Sequence, residues 1–330
     1  MAKSRIYLLN TGNILRENVE CAHDSSISIN YAGDLKKEIE RESANLDPRI
    51  TPGQMLNVLS IETSQGGRIR FETGNVDYVE HVSHARAVYA KRELIDSRFN
   101  PFCAESVNIT KDGLIVALRR GKYLPHGPGI YTCAGGYGVH FRGRKDAGGR
   151  FIPLNLADPY DVISLYLGKE LKIPEDSFNM SWLGASKCYD LSFDLPINFL
   201  TQLTHSSDDL RKIRQEELRK EKGASKDIVI DDLMNFIEDT PEGIISFFNL
   251  IGVQKDKLPK DSVGTRFGEN SHTGTLGIND DFIAALLQYL QRRYPGDYDF
   301  AISTLDRKGY NVIPIDFKEG TKIMLEDLKP

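Results

Sequence analysis

The stretch DPYDVISLYLGKELKI, residues 158–173, decides how this chain reads. Asp158 suits an N-cap, and Pro159 suits the first helical position, where its missing N–H would have had no intrahelical partner. Pro174 ends the element, so the spacing predicts a helix from Pro159 to about Leu171 with Val162, Leu165 and Leu171 among its apolar positions. Upstream lies GPGIYTCAGGYG (127–138), rich in glycine. Before it comes KDGLIVALRR (111–120), where Asp112-Gly113 turns into a largely buried strand ending in two arginines. Downstream, SWLGASKCYDLSFDLPINFL (181–200) reads as a strand pair.

Taken in that order, residues 105–203 resemble the Nudix hydrolase superfamily. The family's approach to its helix reads like PGKWxxPGG, and here GPGIYTCAGG takes its place with Ala134 for the proline and Gly136 at the box glycine. The segment FETGNVDYVEHVSHARAVYA (71–90) resembles the region ahead of the Nudix domain in nucleoside-diphosphate-sugar hydrolases. The resemblance implies an α/β/α sandwich with a mixed sheet over residues 104–204. Around it we expect an N-terminal α+β unit (1–103) and a mainly helical C-terminal region (205–330). It further implies a nucleotide-type small molecule as ligand, its diphosphate held with Mg²⁺ or Mn²⁺, because hard dications take oxygen ligands shared with phosphate.

The signature Gx5Ex7REUxEExGU, with U apolar, is degenerate here. Aligning Glu170–Ile173 with the family's ELGI puts Leu165, Tyr166, Leu167, Gly168, Lys169 and Glu170 where REUxEE should stand. Glu170 is the one signature carboxylate kept. Tyr166 shares its helix face, four residues away, whereas Asp161 is nine residues away and half a turn out of phase. The resemblance therefore assigns Glu170 to catalysis and metal binding, with Asp158 as a second metal candidate and Glu269, beside His272 in the loop SVGTRFGENSHTGTLGI (262–278), as an outside general base.

Arg119 and Arg120 could fork a diphosphate, or could close an edge strand with surface charge. With Gly135, Gly136 and Tyr166 they make up the expected substrate-binding set. Arg142, Arg144, Lys145 and Arg150 either cap an anion or solvate a loop. Tyr131 and Phe141 either stack on a base or pack. Two functions stand: a divergent hydrolase of a nucleoside-diphosphate-linked compound, or an inactive nucleotide-sensing or protein-interaction module.

The bulk numbers exclude other classes. A formal net charge of -5 over 330 residues argues against a dedicated nucleic-acid binder. Cys21, Cys103, Cys133 and Cys188 form no CxxC pair, so neither a zinc ribbon nor a disulfide framework is written, and no thiol has a local His-Asp partner. No leader pattern opens the chain and no run nears the roughly 20 apolar residues of a membrane span, which predicts a cytoplasmic protein with no membrane partner. A homodimer is left open.

Elsewhere we expect strands at 5–10, 26–31, 55–62 and 68–73, the last two joined by a Ser64–Gly67 turn. Helices are expected at 34–43, 207–222, 228–238, 242–250 and 280–292.

Overall fold

The computed structural model describes residues 4–46, 53–64, 66–91, 94–120, 130–139, 142–145, 151–155, 158–189, 194–221, 230–253 and 277–330. Within them the chain is mixed α/β, with two mixed sheets, a small hairpin and seven α-helices.

The main sheet is built on strands β1 (Ser4–Asn10), β5 (Phe102–Ile109), β6 (Leu114–Arg120), β11 (Phe178–Cys188), β12 (Leu195–Leu203), β13 (Ile230–Glu238) and β14 (Tyr310–Asp316), in the order β13-β6-β5-β12-β11-β1-β14. Two short strands, β7 (Tyr131–Thr132) and β8 (Tyr137–Gly138), attach to β6 and β5. The β5–β12 and β1–β14 pairs are parallel and the other pairs along that order are antiparallel. β1 shows why the sheet sits at the centre. Ile6 and Leu8 face one apolar cluster while Tyr7 and Leu9 face the other, as a strand covered on both sides requires.

The second sheet, ordered β15-β3-β4-β2, joins β2 (Val19–Ser28), β3 (Gln54–Ser64), β4 (Arg68–Asp77) and β15 (Lys322–Met324). Gly66 and Gly67 take φ of 82° and 70° in the β3–β4 turn, which glycine adopts without steric penalty. The small hairpin pairs β9 (Arg142–Lys145) with β10 (Phe151–Asn155).

Helix α3 (Pro159–Leu171) forms where the Asp-Pro signal places it: the Asp158 carboxylate accepts from the Tyr160 N–H at 2.9 Å, and Lys172 closes the helix with φ 57°. α3 lies on the side of the main sheet that also meets α1 (Gly33–Ala44), α2 (Tyr78–Ala90) and the second sheet. On the other face pack α5 (Pro241–Asn249), α6 (Asp280–Arg293) and α7 (Tyr298–Arg307). Residues 280–290 of α6 are buried all round because α6 is held between the sheet and the other two helices. α4 (Ser207–Glu221) is the charged helix expected there, anchored at its start by Ser207 N–H and Oγ donating to Asp112. No helix among the described residues is long and apolar enough to cross a membrane.

Two expectations need correction. Residues 230–238 form a strand, not a helix, because β13 completes the open hydrogen-bonding side of β6 and buries Phe236 and Ile237 in doing so. The strand expected at 26–31 starts earlier, at Val19, where it pairs in parallel with β4; Ile29 and Tyr31 follow it. The C-terminal region carries four helices, α4 to α7, and also contributes the strands β13, β14 and β15. α2 was not anticipated at all. Its signal was present: Asp77 and Glu80 form a capping box, an acid followed three residues later by a glutamate.

The glycine loop, helix α3 and a buried acid–thiol cluster

The loop at Cys133–Gly136 is stapled from two sides. From β5, Asn108 Nδ2 donates to the Ala134 carbonyl at 3.0 Å, the Ser106 N–H donates to Cys133 Sγ at 3.5 Å, and the Cys133 thiol donates to buried Glu105. Burial first, and Glu105 second, push the Cys133 thiol well up, so it stays protonated. From α3, Glu170 Oε2 accepts the Gly135 N–H at 2.6 Å. Both glycines are required by this close approach. Gly135 has φ 82°, and a Cβ there would stand 3.1 Å from Leu167 Cβ; a Cβ on Gly136 would come within 2.5 Å of Glu105 Oε1. Gly135→Ala is therefore expected to cost about 1 to 3 kcal/mol in urea unfolding, left-handed strain plus contact with α3. A loss below about 0.5 kcal/mol would show that the loop can move away from the helix.

The structure brings together Glu170, Gly135 and Gly136 from the expected set. Tyr166 lies half-buried on α3 with Lys169 Nζ 5.6 Å from its ring centroid. Asp158 does not join them. It stands one end of α3 away from Glu170, about 18 Å for twelve residues of helical rise, so the two cannot ligate one ion. Its carboxylate is already engaged by Arg16 Nε at 2.5 Å, and Arg16 also reaches Asp161 at 2.6 Å.

Arg119 is half-buried in β6, opposite Tyr131 of β7, and Arg120 pairs through its backbone with Ile230. The alternative of an arginine pair closing an edge strand is thus corrected, because β13 covers that edge. Tyr131 is packing: fully buried, edge-on to Phe247 at 5.9 Å, with its hydroxyl accepting from Asn235 at 2.7 Å. Glu269, His272, Phe141 and Arg150, and the side chains of Arg142, Arg144 and Lys145, lie outside the described residues.

A second arrangement was not anticipated. Where β5 and β12 begin and β11 ends, the first turn of α6 brings buried Asp280 and Asp281 against Cys103, Cys188 and Asp194. Cys103, Asp194 and Asp281 place their ligand atoms within 4.8 Å of one another, as do Cys188, Asp280 and Asp281, and such groups could hold a metal ion. All four cysteines are free and buried.

On the α2 side of this cluster, fully buried Lys187 donates to the Phe99 carbonyl at 2.8 Å and sits 4.8 Å from the Tyr189 ring centroid. His81 Nδ1 stands 3.6 Å from Asp194 Oδ1. Burial, reinforced by Asp281, pushes the Asp194 carboxyl well up, and burial pulls Lys187 down although Asp194 opposes it. No local spacing marks this cluster, since its members come from three regions of the chain.

A cavity of about 250 Å³ opens elsewhere, along the second sheet, between Ile27, Asn57, Asn75, Arg98, Met324 and Glu326. None of the candidate catalytic, substrate-binding or metal residues lines it. Neither the models of known protein families nor the curated proteins give a match to this chain.

Proposed function

We propose that the chain is a divergent Nudix-type protein that holds a nucleoside-diphosphate-linked ligand against the glycine loop and α3, with hydrolysis slight or lost. The observation that carries this reading is the 2.6 Å bond from the Gly135 N–H to Glu170. It ties the glycine turn to the helix in the order strand, glycine loop, helix and antiparallel strand pair, and it engages the one signature carboxylate. A dication beside Glu170 would need its remaining ligands from the substrate's phosphates, because one carboxylate is too few for Mg²⁺ or Mn²⁺ alone. Arg119, and Arg120 beside it in sequence, would supply charge-assisted bonds to the diphosphate.

Calorimetry with a nucleotide sugar, ADP-ribose and their parent nucleosides tests the binding. The diphosphate compounds are expected to bind at least about tenfold more tightly, since one charge-assisted bond is worth about 1.5 to 3 kcal/mol. Equal affinity for nucleoside and diphosphate would reject the ligand class. Turnover with Mn²⁺ tests the chemistry. Slight wild-type hydrolysis is expected, and brisk hydrolysis abolished by Glu170→Gln at unchanged melting temperature would make the chain an active hydrolase instead.

A further inference from the structure

The acid–thiol cluster is separate from the glycine loop, and its composition is specific. Asp194 shares its surroundings with three further buried carboxyls, Asp281, Asp280 and Glu105, against two basic side chains, Lys187 and His81. Buried carboxylates in such excess must be protonated, paired or metal-bound, because an ionised group taken out of water without compensation is costly. Lys187 spends a proton on the Phe99 carbonyl and lies over Tyr189. Asp194 Oδ1 makes no hydrogen bond and stands 3.6 Å from His81 Nδ1, while a carboxylate oxygen of Asp194 lies within 4.8 Å of the Cys103 and Asp281 ligand atoms.

We propose that Cys103, Asp194 and Asp281 form a buried site for one thiophilic divalent cation of the zinc class, with Asp281 shared toward Cys188 and Asp280 on its other side. The donor chemistry selects the metal. Magnesium and calcium take oxygen alone, whereas zinc and cobalt accept one sulfur beside carboxylate oxygens. The geometry is near enough. Ligand atoms around tetrahedral zinc stand about 3.5 Å apart, so a spacing within 4.8 Å closes by small side-chain rotations. Burial holds the Cys103 thiol well above its ordinary range, and coordination supplies the positive charge that a thiolate there requires. The ion would tie the starts of β5 and β12 to the start of α6, three elements joined by no local sequence.

The test uses the full chain, stripped with a chelator and titrated with Co²⁺. A thiolate-to-cobalt charge-transfer band is expected, saturating at about one ion per chain, displaced by Zn²⁺ and unaffected by excess Mg²⁺. Cys103→Ser, nearly isosteric, should weaken cobalt binding by more than about tenfold, while Cys21→Ser leaves the band intact. Absence of the band in folded wild-type protein would overturn the proposal. So would a band that survives Cys103→Ser and disappears in Cys188→Ser, which would move the site to the other triplet. Nucleotide calorimetry is read on different residues, so failure of either proposal leaves the other standing.

Discussion

Replacing Trp182 with alanine is expected to cost about 3 to 5 kcal/mol of unfolding free energy, the range for removing a fully buried aromatic side chain. Trp182 is fully buried on β11 and is where three layers meet. Its ring stands 5.6 Å from Phe199 of the main sheet, 6.4 Å from Tyr160 of α3 and 6.5 Å from Phe71 of the second sheet. Its indole N–H donates to Thr11 Oγ1 at 2.9 Å, so truncation also leaves that hydroxyl without its donor. Guanidinium unfolding should be followed by circular dichroism, because this is the chain's single tryptophan and the variant has none to report by fluorescence. A cost below about 1 kcal/mol would mean that the second sheet and α3 are not held through this contact.

Acid should destabilise the fold through His84, by about 1.4 kcal/mol for each pH unit below 6.5 until the folded-state value is reached. His84 is buried on α2, stacked on Phe99 with centroids 3.9 Å apart and tilted against Tyr31 at 5.9 Å. Burial chiefly, then Lys187 and His81, pull its pKa down to about 3, with Asp96 acting the other way. The folded pKa lies below the unfolded one, so between them the unfolded chain binds the extra proton. Stability is fully present above 6.5 and is lost as pH falls toward 3. Asp194 acts in the opposite sense, because its carboxyl is raised and the folded state takes up its proton first. The clean measurement is therefore the difference between wild type and His84→Leu in urea at pH 7.0, 6.0 and 5.0. The variant should show the shallower loss on acidification, and parallel curves would remove His84 from the account.

The elements that read correctly carry their instructions within one or two turns of chain. α3 has its Asp158 cap and Pro159; α5 has Thr240, whose hydroxyl accepts from the Gly243 N–H at 3.0 Å, followed by Pro241; β3 and β4 have the Gly66-Gly67 turn. β13 failed because its apolar residues suit either a helix face or a strand, and the open side of β6 decided between them. The surroundings of Asp158 were not legible for a related reason. Spacing puts it at the head of α3, but nothing in the local sequence reveals that Arg16, 142 residues earlier, occupies its carboxylate.

The sequence by itself determined the helix that carries Glu170, the glycines that let the loop approach it, and an acidic net charge that disfavours nucleic acid. These follow from backbone sterics, capping and composition, which act over a few residues or over the whole chain. Only the tertiary structure decided which ionisable groups share a buried volume. Cys103, Lys187, Asp194 and Asp281 meet because β12 lies between β5 and β11 while α6 returns to their ends, a consequence of strand order and helix packing. The energy of a buried charge depends on what surrounds it in space, and that neighbourhood exists only after the long-range pairing is complete.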